Sequence, residues 1–164
     1  MAPLTQLFPS LVAPMASSRM VGLYFASSWC PDCTPVTPAL KSVYESQSSM
    51  ADSGKKNFEV VYISSDNSAE QMESSMKTSH GKWSSIPFSE QNELADIKRK
   101  FGACAAKEAP GLSLLGPGRR KFGIPTLIVI DCESENIVTT DGVSDIMQNG
   151  ADSLKKWEEI LSQN

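Results

Sequence analysis

Histidine is almost absent from this chain, and cysteine, aromatic residues and long apolar runs are scarce. One histidine, His80, stands among 164 residues, which rules out a centre built on several imidazoles. Aromatic residues make up 7% of the chain, too few for an evident platform on which bases could stack. There is no excess of positive charge: the formal net charge is −4 and the pI near 5.0. A general binder of nucleic acid or anionic membrane needs a basic surface, so neither is expected as a partner. No apolar run approaches the ~20 residues needed to span a bilayer. Gly-rich phosphate loops, paired carboxylates and runs of metal ligands are also missing, so no metal is expected.

Residues Met1 to Met20 carry one charge, Arg19, and three prolines, Pro3, Pro9 and Pro14. A secretory signal needs a basic start and an unbroken apolar stretch, and this segment has neither. Its lack of acidic residues, with serines at Ser10, Ser17 and Ser18, keeps an organellar leader as the alternative to the cytoplasm, which is the default expectation.

What is present suits one domain of ordinary size spanning 1–164, with enough chain to bury its own core. Val21 to Ala26 reads as a buried strand. A helix follows through Leu40, Val43 and Tyr44, with a kink at Pro38. After a turn at Lys55-Lys56-Asn57, Phe58 to Ser64 reads as a second strand. Ser68 and Gln71 have the spacing of a capping box. Asn92 to Phe101 places Leu94, Ile97 and Phe101 on one helical face. Ile124 to Ile130 is apolar enough for a strand buried on both faces, Ile137 to Thr140 is its antiparallel neighbour, and a last helix starts near Asp152, carrying Leu154, Trp157 and Leu161. This order predicts an α/β fold, a central mixed sheet with helices on both faces. Gly102 to Lys121 breaks the pattern with four glycines and two prolines. It lies between two copies of one tetrapeptide, Arg99-Lys100-Phe101-Gly102 and Arg120-Lys121-Phe122-Gly123. We read it as an inserted irregular segment, with the two copies competing for one structural place.

The four cysteines are too few for a disulfide scaffold in a chain of this length. Cys104 and Cys132 stand apart, while Cys30 and Cys33 are separated by two residues. Such a pair at a helix start suits thiol–disulfide exchange. The first sulfur meets free backbone N–H groups and the positive end of the helix dipole, which stabilise its anion; the second lies one turn deeper and resolves the mixed disulfide. Cys30 is then the exposed nucleophile and Cys33 the buried resolver. The competing reading is half of a zinc site, for which the remaining candidates Cys104, Cys132 and His80 show no paired spacing. Trp29 before the pair, with a strand behind and a helix in front, favours redox chemistry. His80 is expected at the surface, and Glu70, Glu73, Glu90 and Glu93 on solvated faces. Cys132 reads as a buried or strand-end thiol, and Cys104 as the better candidate for a regulatory disulfide.

The stretch from Tyr24 through Trp29-Cys30-Pro31-Asp32-Cys33 resembles the active-site segment of the thioredoxin superfamily, and more narrowly its tryparedoxin and nucleoredoxin branch. Phe58-Glu59-Val60-Val61, Trp83 to Phe88, Ile124-Pro125-Thr126-Leu127 and Val138-Thr139-Thr140 fit the same branch. The resemblance covers about residues 4–157 and implies a thioredoxin-like fold. It implies a monomeric dithiol oxidoreductase acting on protein disulfides through the Cys30–Cys33 pair, without a bound cofactor. It also implies that Pro125 is cis, that the backbone of Ile124 pairs with bound substrate, and that Trp29 and Pro31 border the site.

Two positions depart from the branch, and a third, Tyr24, departs from classical thioredoxins together with the branch. Asp32 replaces a proline, and a carboxylate there disfavours a neighbouring thiolate. Tyr24 stands where other thioredoxins have a buried acid. Asp141 stands where tryparedoxins have an arginine, so a dithiol or reductase donor linked to glutathione or thioredoxin is at least as well implied as trypanothione. Two rival readings remain: an inactive binding module using a groove at Trp29, Ile124 and Pro125, and a thiol peroxidase.

Overall fold

Stretches rich in β-branched and aromatic residues pair edge to edge in the computed structural model, which describes residues 2–47 and 54–163. β1 (Ser18–Ala26) occupies the centre of the sheet. It runs parallel to β2 (Lys56–Ser64), which is parallel to the two-residue β3 (Ser84–Ser85). On the other side β1 is antiparallel to β4 (Thr126–Asp131), and β4 to β5 (Ile137–Thr139). The order β3-β2-β1-β4-β5 gives a mixed five-stranded sheet among the described residues. β2 begins at Lys56, so Lys56 and Asn57 belong to the strand and not to a turn; Lys56 pairs with Ser18.

Side chains alternate between the two faces of β1, and each face has its own core. Met20 and Tyr24 face α3 (Val36–Ser46), α6 (Gly142–Asn149) and α7 (Asp152–Ser162), meeting Leu40, Ile146 and Trp157. Alternation puts residue 22 on that face too, and it is glycine there because a Cβ would stand 2.9 Å from side-chain atoms of both Phe58 and Leu127. Val21, Leu23 and Phe25 face α5 (Gln91–Phe101), meeting Leu94 and Ile97. The same core takes Leu4, Phe8, Leu11 and Met15 from the N-terminal segment. That segment forms α1 (Leu4–Leu7), a 3-10 turn (Pro9–Leu11) and α2 (Val12–Ser17).

Several expectations are corrected. Pro38 is the third residue of α3, within the first turn, where helix N–H groups have no intrahelical partner; no helical bond is lost there and no kink is required. Ser68 caps α4 (Ala69–Thr78), its Oγ accepting from Gln71 N at 3.1 Å, but the Gln71 side chain reaches back to Asn67 N and leaves the box half-formed. Glu93 does not stand free in solvent: it accepts from Ser10 N at 2.8 Å and Ser10 Oγ at 2.6 Å, tying the N-terminal segment to α5. The last helix has no side-chain cap at Asp152, which lies inside its first turn.

The two tetrapeptide copies do not compete. Gly102 O accepts from Lys121 N at 2.8 Å and Phe122 N at 2.9 Å, Cys104 N donates to Phe122 O at 3.2 Å, and Phe101 and Phe122 both pack on the second core. Gly102 closes α5 with a φ of 66°, and a Cβ there would meet Arg119 O at 2.9 Å. The segment between the copies is irregular, as expected, with one 3-10 turn at Ala106–Glu108. It has a small interior of its own, in which Cys104, Ala109 and Leu114 are buried.

Candidate active site

The end of β1 delivers Ser27, Ser28 and Trp29 to the cysteine pair. Asp66, just past β2, fixes this approach: its carboxylate accepts from Ser28 N at 2.8 Å, Ser28 Oγ at 2.7 Å, Tyr62 Oη at 2.8 Å and Ser64 Oγ at 2.7 Å. Sequence reasoning missed Asp66; the signal available was an aspartate closing an apolar strand, beside serines able to bond to it. Trp29 is 37% exposed and donates its indole N–H to Ser65 O at 2.8 Å.

Cys30 occupies the N-cap position of a 3-10 turn, Pro31–Cys33, and α3 proper begins only at Val36. Cys33 N donates to Cys30 O at 3.2 Å and Thr34 N to Pro31 O at 3.3 Å. Pro31 supplies no donor at the first turn position, where none is needed. Pro31 and Asp32 are exposed. Cys30 is less open than expected, at 5%, while Cys33 is at 1%. Both are free thiols, as are Cys104 and Cys132. Burial pushes the Cys33 thiol well above the ordinary thiol value; a hydrogen bond with Cys30 and the charge of Asp32 add to this, and the Ser27 backbone amide opposes it.

Behind the pair lies a chain of hydroxyls. Tyr24 Oη is 2.7 Å from Thr37 Oγ1, and Thr37 Oγ1 donates to Cys33 O at 3.4 Å. Burial raises the Tyr24 phenol far above its usual value, so this residue is no substitute for an ionised acid. Cys33 also borders a cleft lined by hydroxyls, including Ser27, Thr37, Ser75 and Thr78, with Lys41 beside them.

Ile124 and Pro125 precede β4, and the peptide between them is cis. Phe25 pairs with Thr126, so the register sets Pro125 level with Ala26, four residues before Cys30. Ile124 is half-buried and packs on the core cluster that contains both motif cysteines.

Other candidates fall elsewhere. His80 is buried rather than superficial: its Nδ1 accepts from Trp83 Nε1 at 3.1 Å, and its ring meets that of Tyr62 edge-on at 4.4 Å. Burial pushes it down to about 4, against a smaller upward pull from Asp66. Cys104 is fully buried and its thiol is raised chiefly by burial, which removes it as a surface regulatory thiol. Cys132 follows β4, half-buried near Ser18 Oγ. Among the described residues no group of three His, Cys, Asp or Glu side chains could hold a metal, and no helix is long and apolar enough to cross a membrane.

A family model described as thioredoxin-like matches residues 18–137, the span from the start of β1 to the first residue of β5. The chain belongs to the thioredoxin-like family. It is 30% identical to a tryparedoxin of Trypanosoma brucei brucei over 141 residues, covering 85% of this chain and 79% of that one. It is 29% identical to a nucleoredoxin of Danio rerio over 137 residues, but spans only 27% of that longer protein. A solved thioredoxin from Wuchereria bancrofti superposes with a TM-score of 0.61 at 30% identity, covering 91% of this chain and 86% of that one. Within the thioredoxin-like family, likeness to these relatives supports an oxidoreductase of the thioredoxin type.

Proposed function

We propose that this protein reduces protein disulfides, with Cys30 as the attacking thiol and Cys33 as the resolving one. The observation that carries the reading is their placement on one 3-10 turn, with Cys33 the deeper and held protonated by burial. The Cys30 thiolate attacks one sulfur of the target disulfide. That S–S bond breaks, one target thiolate leaves, and a mixed disulfide remains on Cys30. Cys33 then loses its proton, for which the neighbouring hydroxyl-lined cleft offers a polar exit. It attacks the Cys30 sulfur, expelling the second target thiolate and leaving a Cys30–Cys33 disulfide. Two electrons have passed to the target, and no bound cofactor is needed.

Trp29, Pro31, Asp32, Ile124 and Pro125 are proposed to border the bound target, Ile124 through its backbone. A dithiol or a reductase must return the two electrons; a tryparedoxin II structure was solved with glutathionylspermidine, and a glutathionyl thiol is the corresponding proposal here. The proposed place of action is the cytoplasm, where the dithiol is kept reduced, and the proposed acting form is a monomer.

Insulin reduction with dithiothreitol tests the reading. Wild type should accelerate it and Cys30→Ser should not, while Cys33→Ser should accumulate mixed disulfides on Cys30. Equal inertness of wild type and Cys30→Ser with several reductants would favour a binding module instead.

A further inference from the structure

The segment between the tetrapeptide copies reaches the candidate site through one cation. Lys107 Nζ lies 4.1 Å from the centroid of the Trp29 ring and donates to Asn67 Oδ1 at 2.8 Å. Its neighbour Glu108 is tied down three times. Its Oε1 accepts from Ser65 Oγ at 2.5 Å and Ala105 N at 2.9 Å, and its Oε2 from Lys98 Nζ at 2.7 Å. Lys98 is 5% exposed and also donates to Ser64 O at 2.9 Å. The end of β2 therefore holds the loop and the Trp29 indole together.

A buried ion pair is a weak source of stability, because desolvation offsets the attraction. What this pair secures is the position of the residue beside it. That residue is an exposed lysine, and an ammonium has three N–H donors. Asn67 takes one; among the described residues the others have no protein partner. A cation fixed over the indole adjacent to Cys30 is placed to meet a carboxylate on an incoming molecule.

We propose that Lys107 is a specificity-determining residue, selecting disulfides whose reacting sulfur is carried by an acidic peptide, an anionic glutathionyl group being a small example, over those carried by cationic peptides or polyamine conjugates. The inference rests on Cys30 being the attacking thiol. Asp32, exposed in the motif itself, repels the same anions, so the preference depends on Lys107 and disappears when it is neutralised.

Two reagents test the local charge. Iodoacetate and iodoacetamide are both attacked by the Cys30 thiolate with loss of iodide and differ by one negative charge. Their rate ratio at the Cys30 peptide, read by mass spectrometry on the reduced full chain, therefore cancels any change in thiolate content. Relative to wild type the ratio should fall about 2–3-fold in Lys107→Gln and roughly 5-fold in Lys107→Glu at low salt, and the differences should close near 1 M salt, where the screening length is about 3 Å. Lys107→Arg should keep the wild-type ratio. One common ratio in all four proteins overturns the inference.

Turnover gives the second readout, with peptide disulfides flanked by glutamate or by lysine. The glutamate peptide should have the higher kcat/KM with wild type, and the order should reverse with Lys107→Glu. Turnover of both peptides without a preference dependent on Lys107 overturns this inference alone. Turnover of neither overturns the oxidoreductase reading itself.

Discussion

The hydroxyl of Tyr24 lies 2.7 Å from Thr37 Oγ1, and Thr37 in turn donates to the carbonyl of Cys33. With the Thr37 proton directed at Cys33 O, the Tyr24 O–H is the donor of the pair. A phenol thus supports the resolving cysteine through the backbone rather than through an ionised carboxylate. Tyr24→Phe should remove one buried neutral hydrogen bond and cost about 1 kcal/mol. Urea unfolding measures this, and a loss above about 3 kcal/mol would mean that the ring, and not the hydroxyl, had been disturbed.

The thiols should differ in the order of their labelling. Burial raises Cys33, Cys104 and Cys132, the last to about 11. Below pH 9 Cys33 and Cys132 are expected to remain protonated, and all three thiols to react slowly with iodoacetamide. Cys30 should be labelled first, as checked by peptide mapping over time. Replacing Asp32 by proline removes a repulsive carboxylate and should speed Cys30 labelling by roughly 2–5-fold, the effect of about 0.5–1 kcal/mol expected for one near charge in a mostly aqueous setting. Labelling at Cys33 before Cys30 would contradict the assignment.

Lys98 and Glu108 should show the asymmetry of a buried pair. Glu108→Gln leaves an ammonium that is 5% exposed without its carboxylate. Breaking such a pair costs about 3–5 kcal/mol when both groups are buried, and roughly 2 kcal/mol is expected here because the Glu108 side chain is 22% exposed. Lys98→Met should cost less, and the double variant should recover part of the loss. Additive losses in denaturant titrations would argue against coupling between the two residues.

His80 should give the chain an acid-sensitive component of stability. Its folded value, about 4, is below the ordinary value of 6.5. A depressed value means that the unfolded chain binds the proton more readily. The contribution is therefore complete above pH 6.5 and is lost as pH falls toward 4. Between pH 7 and pH 4.5 wild type should lose about 2–3 kcal/mol more than His80→Gln. Parallel pH profiles in guanidinium unfolding would refute this.

Much of the sheet is legible in the sequence because its strands are buried on both faces and therefore read as continuous apolar runs. Val21 to Ala26, Phe58 to Ser64 and Thr126 to Ile130 need no alternation to be recognised. The short helices at 4–7 and 12–17 escape notice for the opposite reason. Each spans at most two turns, and Pro3, Pro9 and Pro14 interrupt any periodic pattern. α6 opens on Asp141-Gly142 and buries only Ile146 among its large apolar residues, too little for a stripe to be seen.

The site divides along the same line. The spacing of Cys30 and Cys33 is local, so the sequence displays it. The contact of His80 with Tyr62, the bond of Ser28 to Asp66 and the approach of Lys107 to Trp29 join residues 18, 38 and 78 positions apart. Polarity alone suggests solvent for His80, Glu93 and Lys98. It is the partner supplied by another element that allows each to be enclosed.

Because Gly102 and Phe122 are bonded to each other, the chain between them leaves and re-enters the domain through a single doorway. Closing an excursion whose ends already touch adds little further entropy cost as it lengthens. The segment is in this sense an exchangeable cassette, with strands β1 and β4 indifferent to its content. Its side-chain attachments limit that freedom, the Lys98–Glu108 pair most of all. A replacement lacking an acid at the place of Glu108 would strand the Lys98 ammonium inside the protein, so a graft should succeed only when Lys98 is changed with it.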